Sequence, residues 1–347
     1  MAKLRIGYSS QVKDMSHPAD RRRLKFWADR RGYEITRNLD SAVDVIVLSG
    51  RADFAKTLQY KENAPVVIDL IDGYLANENP IVDLARGIGK IGVRQLSGRP
   101  RKYSSALSEA ISCANATICA SEEQRAPIQQ FTSNCHVILD FHEEFPFIPF
   151  REKGGTFYKL LWEGQAFTAS GLQSLEGVFA KLKKSAPLSL NIVTDLTTPR
   201  FLGQFGEKKT LERLGELPKI LGDDFSIVPW SIPNVISNAR NATISIIPLD
   251  PANALNSLKP ENRLLIMWRL GLPCLTSPTL AYERVMSEAG VESICHNEVE
   301  WFNKLQELVI SPTVQRNIVE RGQNYIHEKH SVTDTLNRWD QAIESVL

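Results

Sequence analysis

Residues 258–282 read LKPENRLLIMWRLGLPCLTSPTLAY, and this stretch decides the fold. Apolar residues at helical spacing predict a helix over Arg263–Leu270, and a short apolar run predicts a buried strand over Pro273–Thr276. The polar, proline-containing residues Thr276–Tyr282 then predict a loop. A helix that leads directly into a buried strand is typical of a parallel sheet covered by helices.

The same alternation of strand and helix runs through the rest of the chain. Short apolar runs predict further strands over Leu4–Tyr8, Val43–Leu48, Pro65–Ile71, Ala116–Ala120, Cys135–Leu139, Lys159–Trp162, Leu188–Val193, Phe225–Val228 and Ala242–Ile247. Helical spacing predicts helices over Arg21–Arg31, Ser104–Cys113, Glu122–Phe131, Gly171–Lys184, Thr210–Leu221, Ile232–Asn238, Val299–Leu308, Thr313–Lys329 and Val332–Val346.

A change of character in the middle of the chain divides this pattern in two. Residues 140–155 contain two prolines, two glycines and no regular period, which is typical of a domain linker. The length of 347 residues also suits two domains. We therefore expect an α/β protein with two Rossmann-like domains facing across a cleft, over 1–150 and 151–330. The C-terminal helix, 331–347, is expected to pack back on the first domain.

Composition excludes several classes of function. The chain has 41 Lys and Arg against 40 Asp and Glu, so its net charge of +1 gives no reason to expect nucleic acid. Its five cysteines lack metal-ligand spacing, so we expect buried, reduced thiols and no metal. The N-terminus lacks the apolar core of a secretion signal, and no apolar run approaches about 20 residues. The expected location is the cytoplasm, with at most peripheral contact with the inner face of a membrane.

Two features have the chemistry of a phosphate site. Lys259 and Arg263 lie four residues apart at the predicted start of a helix, whose N-terminus adds partial positive charge. Gly164 follows a predicted strand and, without a Cβ, lets the backbone approach a phosphate closely. The alternatives are a solvated helix face for the two cations and an ordinary strand-to-helix turn for the glycine.

Four stretches in matching order resemble the GT-B glycosyltransferases, in particular the glycosyl transferases group 1/family 4-like superfamily. The Lys-x-x-Asn-Arg opening and the Gly-Leu-Pro turn of residues 258–282 are similar to the nucleotide-sugar half of that family. So are LLWEG at 160–164 and IVPW at 227–230, and ATICASEEQR at 116–125 is similar to a unit of its acceptor domain. The glutamate pair of many retaining members is absent, since the matching positions are Leu258 and Ile266.

The resemblance implies a nucleotide-diphosphate sugar as donor, bound by the second domain with no metal or further cofactor. In this sequence it assigns donor binding to Gly164, Trp230, Lys259, Asn262, Arg263, Ser277 and Thr279. Trp230 would stack on the base, with a core tryptophan as the alternative. The hydroxyls of Ser277 and Thr279 would donate to phosphate.

The first domain offers three candidates for catalysis. Asp72 follows the strand predicted over Pro65–Ile71, near the carboxyl edge of the sheet, and could act as the base or contact the donor sugar. The alternative is a turn residue before Gly73. His17 lies in the loop after the first strand and is the sharper candidate, because a histidine titrates near working pH. His142 lies at the domain junction. A histidine in a loop is more often simply solvated.

Residues 86–102 form a cationic segment with interleaved apolar residues and no acid. Such a segment can rest on anionic lipid, which would suit a lipid-linked acceptor. The alternative is a flexible loop that is solvated or binds an acidic glycan.

The sequence therefore predicts a glycosyltransferase of polysaccharide biosynthesis that moves a sugar from a nucleotide-diphosphate sugar to a glycan or lipid-linked acceptor hydroxyl. Two alternatives remain open. One is a non-catalytic GT-B-like module that binds nucleotide or glycan. The other is a sugar-nucleotide epimerase, although few carboxylates lie near the predicted loops of the second half.

Overall fold

The computed structural model describes residues 3–76, 79–153, 157–199, 206–249 and 254–347. Internal contacts divide the chain into two units. The first unit comprises residues 1–141, 257–260 and 330–347, and the second comprises 142–256 and 261–329. Each unit contains a parallel sheet flanked by helices, which confirms the α/β class.

The first unit is built on six described strands that all run parallel, in the order β2-β1-β3-β4-β5-β6. The strands are β1 (Arg5–Ser9), β2 (Glu34–Thr36), β3 (Val45–Leu48), β4 (Val66–Leu70), β5 (Ala116–Cys119) and β6 (Cys135–Val137). The helices are α1 (Pro18–Arg21), α2 (Leu24–Arg31), α3 (Thr57–Lys61), α4 (Pro80–Gly92), α5 (Tyr103–Cys113) and α6 (Glu122–Gln129).

The central strands β3, β4 and β5 are buried along their whole length, because helices cover both faces of the sheet. One face packs against α5 through Tyr103, Leu107 and Ile111. The other packs against α2 through Leu24 and Trp27.

The second unit contains a sheet of five described strands, all parallel, in the order β11-β8-β7-β12-β13. The strands are β7 (Tyr158–Glu163), β8 (Leu188–Thr194), β9 (Thr197–Pro199), β10 (Glu207–Lys209), β11 (Phe225–Pro229), β12 (Ile244–Ile247) and β13 (Cys274–Thr276), of which β9 and β10 form a separate antiparallel pair. The helices are α7 (Glu176–Ser185), α8 (Leu217–Leu221), α9 (Ile232–Asn241), α10 (Asn262–Arg269), α11 (Leu280–Ala289), α12 (Glu298–Ile310) and α13 (Pro312–Lys329).

The last helix, α14 (Val332–Glu344), belongs to the first unit. Trp339 stacks on Trp27 with ring centroids 5.7 Å apart, and the Trp27 indole N–H donates to Asp340 over 2.7 Å. Burying two tryptophans against each other holds the C-terminal helix on the first sheet.

Four predicted elements differ from the structure. The helix predicted over Arg21–Arg31 is broken between α1, which ends at Arg21, and α2, which begins at Leu24. Thr276–Tyr282 is not entirely a loop, because α11 begins at Leu280. The helix predicted over Gly171–Lys184 is tighter 3-10 helix over Ala166–Leu175 and becomes α-helix only at Glu176. The helix predicted over Thr210–Leu221 is interrupted at Gly215, whose φ of 56° is left-handed and ends a helical turn.

The predicted linker, 140–155, has no helix or strand in its described part, and its last residues, Gly154 and Gly155, lie outside the described ranges. Across those ranges, no helix has the length and apolar character needed to cross a membrane.

Candidate functional site

The carboxyl edge of the second sheet brings the central strand β7 against the start of helix α10. Gly164 follows the last residue of β7, and Arg263 is the second residue of α10. A Cβ added to Gly164 would lie 3.0 Å from the guanidinium carbon of Arg263. The missing side chain at Gly164 therefore allows the guanidinium to lie directly against the backbone.

The guanidinium of Arg263 is held in place without being hydrogen-bonded. It lies over the Trp162 ring, 4.8 Å from the centroid, and its Nε is 3.9 Å from Oε2 of Glu163. All three guanidinium nitrogens are buried, and none has a hydrogen-bond partner among the described residues. Since buried donors are normally paired, these nitrogens can donate to an acceptor-rich ligand such as a phosphate.

Glu163 connects Arg263 to Trp230. The Trp230 indole N–H donates to Oε1 of Glu163 over 2.6 Å, and the ring is half-buried. This bond fixes the orientation of the ring beside the same strand end. Sequence reasoning missed Glu163, although an acidic residue directly before Gly164 was a usable signal.

Asn262 and His142 lie together in the second unit. Oδ1 of Asn262, the first residue of α10, is 3.1 Å from Nε2 of His142. His142 is only 3% exposed, so it is not a solvated loop histidine. The pair orients Asn262 at the first turn of the helix that carries Arg263.

The two predicted hydroxyl donors have local partners. The Ser277 hydroxyl oxygen accepts from the backbone N–H of Leu249 over 3.0 Å. The Thr279 side chain caps α11 by accepting from the N–H of Tyr282 over 3.1 Å. Both oxygens therefore stabilise the edge of the sheet and the start of a helix.

Lys259 does not lie at the start of a helix, which corrects the prediction. Pro260 disfavours helical backbone at the residue before it, so α10 begins only at Asn262. Lys259 also falls within residues 257–260, which belong to the first unit, while Arg263 belongs to the second. The two cations are therefore not a pair on one helix.

In the first unit, the segment that carries Lys259 packs on the turn that carries Asp72. A Cβ at Gly73 would lie 2.5 Å from Cβ of Leu258, and Gln124 donates to the Leu258 carbonyl over 3.0 Å. Asp72 is half-buried and accepts from the Tyr74 hydroxyl over 3.1 Å. Burial raises the pKa of Asp72, and the nearby Lys259 lowers it.

His17 is used as a helix cap. Its Nδ1 accepts from the backbone N–H of Ala19 over 3.2 Å at the start of α1. Burial lowers the pKa of His17, with Arg51 and Arg21 acting in the same direction and Asp20 opposing them. The structure therefore favours a neutral ring with one nitrogen already occupied.

The cationic segment 86–102 is not a flexible loop over its first part, because α4 extends to Gly92. Arg86 lies over the Tyr74 ring, 5.9 Å from the centroid, and Lys90 donates to the Gly50 carbonyl over 2.9 Å. The described residues contain no cluster of three or more His, Cys, Asp or Glu side chains that could hold a metal.

Comparison with known proteins identifies the fold as that of the GT-B glycosyltransferases. TarM superposes with a TM-score of 0.62 at 13% identity, over 88% of this chain and 55% of its own. WaaG, a glycosyltransferase involved in lipopolysaccharide biosynthesis, gives 0.59 at 12% identity over 99% of both chains. Sucrose-phosphate synthase from Thermosynechococcus elongatus gives 0.57 at 12% identity, over 92% of this chain and 75% of its own.

This chain thus spans little more than half the length of TarM. No protein-family model matches its sequence, and no curated protein matches it significantly. The likeness to these structures is one of fold.

Proposed function

We propose that this protein is a glycosyltransferase that moves a sugar from a nucleotide-diphosphate sugar to a hydroxyl of a glycan or lipid-linked acceptor. The observation that carries this proposal is the buried guanidinium of Arg263, which lies against Gly164 with no hydrogen-bond partner among the described residues. Its planar set of N–H donors matches phosphate oxygens.

In this proposal, Arg263 binds the diphosphate and stabilises the negative charge that develops as the bond from the sugar carbon to the phosphate oxygen breaks. The Trp230 ring, fixed by Glu163, stacks on the nucleotide base. Asn262, Ser277 and Thr279 complete the donor side. A variant of TarM from S. aureus has been crystallised with fondaparinux, alpha-GlcNAc-glycerol and UDP, and this supports a nucleotide as the donor's leaving group.

Asp72 takes the proton of the acceptor hydroxyl as the new glycosidic bond forms. Burial raises its pKa from the ordinary carboxyl value, which makes it a better base for this step. We assign Lys259 to the same step, because its charge lowers the pKa of Asp72 and so favours the deprotonated carboxylate. His142 acts through Asn262. The predicted catalytic role of His17 has no further support.

The test is nucleotide binding and turnover in Arg263→Gln, with Arg240→Gln as the control. Arg240 is an exposed arginine of the same unit, on α9. UDP, GDP and dTDP are screened for protection against thermal unfolding, and the corresponding sugars for transfer. We expect at least one nucleotide to protect the parent and Arg240→Gln but not Arg263→Gln.

Equal protection of all three proteins would contradict the proposed phosphate contact. Protection without turnover of any nucleotide sugar would favour a non-catalytic binding module. Conversion of a nucleotide sugar into its epimer would favour an epimerase.

For a lipid-linked acceptor, the exposed face of α4 is the supporting feature. Ile81, Leu84 and Ile88 lie on one face of this helix and are 76%, 39% and 49% exposed. The basic residues Arg99 and Lys102 follow in sequence, whereas Arg101 is paired with Glu109, so an anionic lipid surface matches the segment in both polarity and charge. Flotation with vesicles of phosphatidylglycerol and phosphatidylcholine tests this: Ile81→Ser/Ile88→Ser should lose binding, whereas Leu58→Ser, a control on α3, should retain it.

A further inference from the structure

A cavity lies entirely within the first unit, at the carboxyl ends of β1, β2 and β3. Its volume is about 750 Å³, and its wall includes Ser9 and Ser10 after β1, Arg37 after β2 and Arg51 after β3. Parallel sheets bind their ligands at this edge, where the loops gather. Neither Asp72 nor any residue that we propose for donor binding lines this cavity.

The charge of the cavity wall is strongly positive. Its described lining contains four cations, Arg37, Arg51, Lys56 and Arg94, and one acid, Asp53. Asp53 accepts from the backbone N–H groups of Ala55 and Ser97, over 3.2 Å and 2.9 Å, and so holds the wall together. No carboxylate among the described residues forms an ion pair with any of the four cations.

Two of these cations are anchored in a way that leaves their terminal nitrogens available. Arg37 donates through Nε to the Ser10 hydroxyl over 2.9 Å, and Arg51 donates through Nε to Oε1 of Gln11 over 3.3 Å. Neither terminal nitrogen of these guanidinium groups has a hydrogen-bond partner among the described residues. A guanidinium held at Nε presents its outer edge to an anion.

The pKa of Lys90 shows that positive charges lie close together beside the cavity wall. Its ammonium donates to the carbonyl of Gly50, directly before Arg51. Burial lowers the pKa of Lys90 to about 8, and Arg51 and Arg86 contribute by repulsion. The neighbouring cations are thus close enough to disfavour one another, and a bound anion would relieve that repulsion.

Arg94 occupies a backbone position that favours glycine. Its φ is 59°, in the left-handed region, two residues after α4 ends. Glycine is the usual residue at this position because a side chain there is strained. An arginine at such a position suggests that its charged side chain has a function, such as binding an anion.

We propose that this cavity binds an anionic group of the acceptor, a phosphate, sulfate or carboxylate, so that the acceptor is an acidic glycan. Anion binding itself follows from the wall alone, and its assignment to the acceptor rests on the proposed function. The four cations recognise charge on the saccharide and make binding strongly dependent on salt.

The experiment is isothermal titration of the full chain with three pentasaccharides: sulfated fondaparinux, carboxylated pentagalacturonate and neutral maltopentaose. At least one anionic probe should bind, and maltopentaose should bind at least tenfold more weakly. Arg51→Gln/Lys56→Gln should reduce anionic binding at least tenfold. Lys25→Gln/Arg30→Gln, which removes two cations of the same unit from α2, should leave it unchanged.

The variant Arg94→Gly distinguishes a loss of anion binding from a loss of stability. This substitution removes a cation and relieves the backbone, so it should weaken the anionic probe severalfold without lowering the thermal midpoint. Binding should also weaken as the pH rises through about 8, because an anion favours the protonated form of Lys90.

Failure of this inference and failure of the proposed function give different results. If UDP protects the chain but no anionic pentasaccharide binds more tightly than maltopentaose, the acidic acceptor is wrong and the donor site stands. If an anionic probe binds but no nucleotide does, the proposed function is wrong. The assignment of the bound anion to the acceptor is then wrong as well. If Arg51→Gln/Lys56→Gln loses binding to phosphatidylglycerol vesicles while free saccharides never bind, the wall recognises lipid and the proposal is overturned.

Discussion

Arg23 and Arg263 both have buried guanidinium nitrogens, and the surroundings of these two groups are opposite. Arg23 in the first unit is fully buried and donates to Asp69 at 3.0 Å, to Asp140 at 3.1 Å and to the Ile138 carbonyl at 2.6 Å. The guanidinium of Arg263 in the second unit lies over Trp162, and its buried nitrogens have no hydrogen-bond partner among the described residues. A buried cation needs partners, and only Arg23 finds them within its own unit.

The difference separates a structural group from a group that we propose binds a ligand. The two carboxylates and the carbonyl around Arg23 tie the start of α2 to β4 and to the chain after β6. Around Arg263, the ring of Trp162 and the distant carboxylate of Glu163 orient the guanidinium but leave its donors unused. A ligand that supplies several oxygens would complete this second environment.

The largest effect on stability is expected for Arg23→Met. Asp69 and Asp140 would remain without their cation, and breaking a buried ion pair in this way costs about 3–5 kcal/mol. Urea denaturation followed by tryptophan fluorescence measures the free energy of unfolding. Arg23→Met/Asp69→Asn should recover part of the loss. A loss below about 1 kcal/mol, in the range of exposed ion pairs, would show that Arg23 is not a structural centre.

Arg263→Met should behave in the opposite way. Removing donors that lack partners relieves a desolvation cost, so the free energy of unfolding should fall by less than about 1 kcal/mol or should rise. Protection by nucleotide should disappear, and at a concentration of 100 times Kd that protection is worth about 2.7 kcal/mol. A strong loss of stability in the absence of ligand would place Arg263 in the same class as Arg23.

Gly164→Ala sharpens the contrast without changing any charge. The new Cβ would lie 3.0 Å from the guanidinium carbon, so the flexible end of Arg263 must shift. We expect Kd for the nucleotide to rise by about tenfold, equivalent to about 1.4 kcal/mol. Gly92→Ala is the matched control, because a Cβ there meets nothing within 4 Å. Equal affinities for both variants would contradict the close approach.

The smallest expected effect is a shift in pH dependence. Asp72 must be deprotonated to act as a base, so kcat/KM should rise with pH through its pKa, which burial raises from the ordinary carboxyl value. Lys259→Gln removes the charge that lowers this pKa and should move the rise to higher pH. Lys13→Gln, which removes an exposed cation elsewhere in the first unit, should leave the profile in place. An unmoved profile in Lys259→Gln would remove Asp72 as the base.

Most strands were predictable because burial on both faces leaves a continuous apolar run. Val45–Leu48 and Val66–Leu70 are of this kind, and both lie within predicted strands. β2 was missed because Glu34–Thr36 is a short edge strand with no buried residue. Edge strands need less apolar character, so their sequence signal is weak.

α4 was hidden by its glycines, and tertiary packing explains one of them. A Cβ at Gly87 would lie 1.9 Å from the Arg101 carbonyl oxygen, so glycine allows the chain leading into α5 to approach the helix. Glycine lowers helix propensity by about 1 kcal/mol, which weakens the local pattern. The sequence therefore indicated the cationic, apolar character of this segment but not its conformation.

By itself, the sequence determined the repeated strands and helices and the positions of Gly164 and Arg263 at the ends of such elements. These follow from local periodicity and from residue chemistry. Only the tertiary structure decided the partners. It paired Trp230 with Glu163, 67 residues apart, and His142 with Asn262, 120 residues apart. It also left the Arg263 nitrogens without partners among the described residues. Hydrogen bonds require atoms to meet within about 3 Å, and residues distant in sequence reach that separation only through the fold of the whole unit.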